Sequence, residues 1–352
     1  VLLRPLPYRD AGRIAQVWNT FPHWRGEPAL DALWDRIALS WEELEAVRGG
    51  ARSIEGAGAA YFRSMQTAAG EETEVRVVAR GTASLLDVLG VRPERGRWFR
   101  EDEEGPDAPR VVVASWGFWS TRLGADPAAV GRDIRIEGEA FTLIGVLPRS
   151  FRFPAVMPVT EALGEASLWQ PVGTSRSDFT RNSNNYEAVV RLRQGVTLAS
   201  AESEIVRLIR ADRPPERRGG RLVPRLDAVT GRARTPLLLL FAATGTLLLI
   251  ACGNVALLLL GTGQSRAGEL STRMALGASR ARIVRELMTA SALLAVAGGM
   301  LGALLAHGIV RALPAVLPAE LPRTAEIAID PRGLAFAMAV SLGAGLACAL
   351  PP

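Results

Sequence analysis

Lysine is absent from this 352-residue sequence; all 41 Lys+Arg positions are arginine. A phosphate-cradling Walker loop requires a lysine, so the chain has no ATPase site of its own. Cysteine is scarce too. Cys252 and Cys348 both lie in apolar runs and read as small core residues, not as a disulfide or metal framework. The two histidines, His23 and His307, are far apart in sequence and suggest no zinc site. His23 alone falls in the first 235 residues, and no serine there sits in an elbow motif, so a Ser–His–Asp constellation lacks its parts. No cofactor is expected in the chain.

A one-signed charge stripe is also missing. The net charge is +5, but arginine is interspersed with Glu and Asp through the first 235 residues, which argues against nucleic-acid binding. Carboxylates crowd at Glu101, Asp102, Glu103, Glu104 and Asp107. Paired acids suit acid–base chemistry or a cation, but a run this dense beside Gly and Pro reads as a solvated loop. Trp98, Trp116, Trp119 and Trp169 read as core residues in preference to a pocket lining.

Charge disappears altogether from 236–264 (PLLLLFAATGTLLLIACGNVALLLLGTGQ). About 25 helical residues reach roughly 37 Å, against a hydrocarbon core of about 30 Å. Transmembrane spans are therefore expected at about 236–262, 287–310 and 333–352, the last cut short. Arg266, Arg273, Arg280, Arg282 and Arg285 crowd the first connecting loop, whereas Arg311, Arg323 and Arg332 in the second are balanced by acids. Positive charge stays inside, so the first loop is expected in the cytoplasm and residues 1–235 outside it. The chain begins at Val1 and ends within an apolar run, so further sequence is expected on both sides. Gly298, Gly302 and Ala306 recur every four residues, a spacing that suits close helix packing, though glycine is common here in any case.

The loop 265–288 (SRAGELSTRMALGASRARIVRELM) predicts a short helix, a turn and a second helix. Leu270, Met274 and Ala278 share a face, Glu269 and Arg273 form an i,i+4 pair, Gly277 suits a C-terminal stop and Ser279 a new cap. Physics alone fits an inert connector at least as well as a docking helix. In the first 235 residues, mixed α and β structure is expected. SWEELEAV at 40–47 carries a capping box of Ser40 and Glu43. EVRVVAR at 74–80, PRVVVAS at 109–115 and YEAVVRLR at 186–193 predict strands, and 133–146 a hairpin turning at Glu137-Gly138. Helices are expected at 116–123 and 197–210, and a polar loop at 211–221.

Four stretches carry a family resemblance: VLLRPLPYRDAGRIAQVW, VARGTASLLDVLGVRPERGRWFREDE, VVVASWGFWSTRLGADPAAVGRDIRIEGEAFTLIGVLPRSFRFP and ACGNVALLLLGTGQSRAGELSTRMALGASRARIVRELM. The chain resembles permease subunits of ATP-binding-cassette (ABC) transporters of the MacB and FtsX type, most of all the larger duplicated permeases. The resemblance implies an α+β extracytoplasmic two-lobed domain over 1–235, a MacB-like periplasmic core with its inserted lobe at about 80–180. It implies an all-α FtsX-like transmembrane helix bundle over 236–352, lacking the family's first and fourth helices. The bacterial inner membrane follows as the location, with a multi-pass chain.

In such proteins the loop touches the ATPase. The coupling residues implied here are Glu269, Leu270, Arg273, Met274, Leu276, Gly277, Ala278, Ser279 and Arg280. The expected partners are a cytoplasmic ABC ATPase that binds the ATP, a second permease half (a homodimer or a duplicated chain), the lipid bilayer and a periplasmic adaptor. The expected function couples ATP hydrolysis to movement of the periplasmic domain, for efflux or release of a substrate. The alternatives are an FtsX-like signalling protein that regulates cell-wall hydrolases and a membrane-anchored enzyme. No catalytic constellation supports the last.

Overall fold

Strand β1 (Ile14–Thr20) is buried at all seven positions, although its sequence, IAQVWNT, does not alternate in polarity. Both of its faces are covered. Ala15 and Val17 pack with Leu44 and Val47 of α1 (Trp41–Gly50) and with Ala201, Ile205 and Ile209 of α4 (Leu198–Arg210). Trp18, which points the other way, packs with Ala38, Val156 and Met157. A strand covered on both faces loses the period-2 signal, so the sequence reading passed over it.

The computed structural model describes residues 6–68, 73–157, 160, 163–173, 184–210, 218–265, 280–316, 335–336, 339–340 and 343. The chain forms two units, Val1–Arg232 and Ala233–Pro352. In the first, β10 (Gly219–Pro224), β1, β9 (Glu187–Leu192) and β2 (Ile54–Ala68) make an antiparallel sheet. Strand β2 serves two structures. Its first half pairs with β9, and from Ala60 onward it pairs with β3 (Thr73–Gly81). The order then runs through β8 (Leu168–Pro171), β5 (Val111–Ala114), β7 (Glu139–Val146) and β6 (Asp133–Ile136). Strand β6 returns to β2 at Thr67 and Ala68, which closes a ring of strands into a barrel. The short β4 (Arg95–Gly96) adds to β7. The first unit is thus an α+β domain of two lobes, an open sheet and a barrel, joined through one long strand.

Besides the cluster around Trp18, three apolar clusters of the described residues fill these lobes. One lies between the open sheet and α1 and α4. A second gathers Val112, Ile134, Ile136 and Leu143 of the barrel with Phe118 and Trp119 of α3 (Trp116–Arg122). The third joins α2 (Leu85–Leu89) to Trp98 and Trp169. Helix α4 buries Ala201, Ile205 and Ile209, four residues apart, as an amphipathic helix on a sheet does.

Many local expectations hold. The Ser40–Glu43 capping box forms in both directions. The hairpin β6–β7 turns on Glu137 at φ 51° and Gly138 at φ 80°, the positive pair of a type I′ turn. Thr197 accepts from the Ser200 amide at 3.3 Å and caps α4. Of the polar loop expected at 211–221, residues 219–221 belong instead to β10, and 211–217 lie outside the described residues.

In the second unit, α5 (Arg225–Ser265, rooted in the first unit) continues and α6 (Arg280–Val316) follows. Among the described residues no helix is long and apolar enough to cross a membrane. This overturns the expected all-α transmembrane bundle and, with it, the multi-pass placement in the inner membrane. The expectation rested on runs of apolar residues in the sequence; the described residues supply no helix that meets the length and hydropathy a crossing needs. The third expected span is described only at 335–336, 339–340 and 343. Both helices carry exposed large apolar side chains, among them Leu239, Phe241 and Leu249 in α5 and Leu293 and Leu304 in α6.

Candidate functional site

The expected coupling residues Glu269, Leu270, Arg273, Met274, Leu276, Gly277, Ala278 and Ser279 lie outside the described residues. Arg280 is the first residue of α6. Gly298, Gly302 and Ala306 fall on α6 and are exposed, and a Cβ added at either glycine would meet nothing within 4 Å. Among the described residues, no neighbouring helix packs against that stripe.

The structure draws attention to the residue where α5 begins. Strand β10 ends at Pro224 and the helix starts at Arg225 with no loop between them. Arg225 is fully buried. Its guanidinium donates to Gln16 Oε1 on β1 and, at 2.8 Å, to the Pro154 carbonyl, and it lies 4.4 Å from the Phe153 ring centroid. Nearby on β9 is Glu187, also buried, which accepts from the amides of Val156 at 2.9 Å and Met157 at 3.1 Å and from the Thr160 hydroxyl at 2.8 Å. Burial pushes the Glu187 carboxyl above its ordinary range, while the Arg225 charge and these donors pull it back. Both groups grip the segment 153–157. The same segment's neighbour Arg152 gives its carbonyl to the Tyr8 hydroxyl. The beginning of the unit and the root of α5 therefore clamp one stretch of chain.

A buried ion pair locks the open sheet. Arg218 Nη2 lies 2.6 Å from Glu43 Oε1, and Glu43 Oε2 accepts from Asn19 at 2.7 Å and from the Ser40 amide at 2.8 Å. Arg218 also donates to Asn184 at 2.7 Å and stacks 4.7 Å from the Phe21 ring centroid. The capping carboxylate that the sequence revealed thus has a second role that it did not reveal.

The acidic run is only partly solvated, contrary to the sequence reading. Glu101 and Asp102 are exposed, but Glu103 is buried. It accepts from two Arg97 nitrogens at 2.7 and 2.6 Å and from the Arg100 amide at 2.9 Å. Burial acts to raise the Glu103 carboxyl, but these donors outweigh it and hold it below the ordinary value. Burial raises Glu104, which accepts from the Ala83 amide and lies 3.9 Å from Arg48 of α1. These carboxylates are structural ties. Among the described residues no group of three or more His, Cys, Asp or Glu side chains could hold a metal ion. Trp98, Trp119 and Trp169 are buried as expected, but Trp169 and the half-buried Trp116, which packs 5.0 Å from Trp119, also line a cleft.

Residues 5–208 match the model of the MacB-like periplasmic core domain, and residues 241–352 match that of the FtsX-like permease C-terminal. The chain is similar to the Macrolide export ATP-binding/permease protein MacB of Neisseria gonorrhoeae, 25% identical over 225 residues, covering 62% of this chain and 33% of the relative. The protein of that name from Chromobacterium violaceum is 27% identical over 231 residues, covering 63% and 33%. The chain spans about a third of the length of these curated relatives. Among solved structures, the periplasmic region of MacB from Actinobacillus actinomycetemcomitans aligns with a TM-score of 0.47 and 15% identity, over 64% of this chain and 94% of that one.

Proposed function

The chain belongs to the family of the MacB-like periplasmic core domain, and from that premise we propose that it is the permease subunit of an ATP-driven ABC transporter. The observation that carries this reading is the pairing, in one chain, of the MacB-like periplasmic core domain with the FtsX-like permease C-terminal. In this reading a partner ATPase outside these residues binds and hydrolyses ATP, since a chain without lysine has no Walker loop. The periplasmic core domain is the part that is moved, for efflux or release of a substrate. The loop from Glu269 to Arg280 is the proposed docking point for the ATPase. The stripe of Gly298, Gly302 and Ala306 is the proposed contact with a second permease half, and an adaptor on the periplasmic side completes the assembly. Macrolides, named for the relatives, are the first substrate class to assay.

Arg225 supports the mechanical part. A helix whose first residue is buried and held by two parts of the first unit, β1 and the segment 153–154, can pull on that unit without slack. Flexible attachment would dissipate such a movement.

The test is a pull-down of the full chain from host-cell extract, with and without a non-hydrolysable ATP analogue. Recovery of an ABC ATPase, lost on changing Arg273 and Leu276 to alanine, supports the reading. No ATPase under either condition overturns it. Recovery of a cell-wall hydrolase would turn the function toward FtsX-like signalling.

A further inference from the structure

A cleft of about 360 Å³ opens in the first unit between α3 and the segment 147–153. Its apolar wall is formed by Phe151, Phe153 and Trp169, which meet edge to face with centroids 5.6 and 6.1 Å from the Trp169 ring. Three arginines, Arg76, Arg149 and Arg152, also line it, against one carboxylate, Glu165. Their states differ. Arg76 is held by Glu74 at 2.8 Å, and Arg152 pairs with Glu165 at 3.0 Å. The Arg149 guanidinium is exposed and has no side-chain partner among the described residues.

We infer that this cleft binds a small organic anion with an apolar ring body. The volume falls within the roughly 300–1,000 Å³ of small-molecule sites, which pair apolar walls with a few placed polar groups. Aromatic edges and faces receive a flat apolar body. The positive excess selects the sign of the head group, and a guanidinium fork matches a carboxylate in bidentate fashion. Arg149 supplies an unspent fork at the rim, and Arg152 can share its own between Glu165 and the guest. The site has a structural consequence. Phe153 lines the cleft and also carries the Arg225 guanidinium on its ring, so an occupant presses on the side chain that roots α5. Such binding stands whether or not the chain serves a transporter.

The experiment titrates the full chain with 2-naphthoate, followed by quenching of tryptophan fluorescence, beside the uncharged 2-naphthylmethanol. Saturable quenching by naphthoate, with the neutral analogue at least about tenfold weaker, is the expected result. Arg149→Ala should weaken naphthoate by about tenfold and leave the neutral analogue unchanged. Arg149 is exposed, so this variant should fold. Arg152→Met should weaken naphthoate further, because it removes a second guanidinium from the cleft. Equal binding of the two probes, indifference to Arg149→Ala, or no saturable quenching overturns the inference.

Discussion

The Arg225 guanidinium rests 4.4 Å from the centre of the Phe153 ring while donating to the carbonyl of the next residue, Pro154, at 2.8 Å. A cation on the first residue of a 41-residue helix is thus built into the core of the preceding domain. Replacing it by an apolar residue strands Glu187 as a buried carboxyl without its nearby cation. Arg225→Met should destabilise the first unit by about 3–5 kcal/mol. Arg225→Lys, which keeps the charge and loses the fork, should cost less. All eight tryptophans lie in the first unit, so urea unfolding followed by their fluorescence reads it directly. A loss below about 1 kcal/mol for the methionine variant would remove Arg225 from this role.

Two buried carboxyls should give the stability–pH curve opposing slopes. Glu187 is raised from its ordinary 4.5. Its contribution is present below that value and is lost as pH rises through the raised one. Glu103 is lowered from 4.5, so its contribution is present above that value and is lost as pH falls through the lowered one. Glu187→Gln, whatever its own cost, should flatten the decline on the alkaline side. Glu103→Gln should cost about 2 kcal/mol at neutral pH, with the deficit shrinking in acid. Urea midpoints at a series of pH values test both. Parallel curves for wild type and Glu187→Gln would rule out the first assignment.

Gly58 of β2 faces the backbone of α2. A Cβ there would lie 2.6 Å from the Leu85 Cα, which is closer than atoms can sit. Gly58→Ala must push α2 off the strand and should cost about 1–3 kcal/mol. Hydrogen exchange of α2 amides should rise first, and unchanged exchange would mean that the helix accommodates the methyl group.

Ser40 and Glu43 separate a cap from an ion pair. Ser40→Ala removes one cap bond and should cost about 1 kcal/mol. Glu43→Ala removes the return bond as well and leaves Arg218 buried without its carboxylate, for about 3–5 kcal/mol. Equal losses in the two variants would show that Arg218 finds another anion.

The capping box, the type I′ turn at Glu137-Gly138 and the apolar stripe of α4 were legible because each depends on residues within a few positions of one another. Strand β1 was not, since its seven buried positions face apolar clusters on both sides of the sheet, built from residues distant in sequence. The proposed coupling loop was suggested only by resemblance, and most of its residues fall outside those the structure describes. The apolar runs after Pro236 read as membrane spans because composition counts residues. The described helices fall short of that reading.

By itself the sequence determined where short-range chemistry begins and ends elements, and its lack of lysine excluded a Walker loop from these residues. Tertiary structure alone decided which arginines matter. Arg225 and Arg149 are the same residue type, yet one is sealed beneath a sheet and the other stands at the rim of a cleft. The reason is physical. The cost of burying a charge is set by the groups that surround it in space, and those of Arg225 come from Gln16, Phe153 and Pro154, which only the fold brings together.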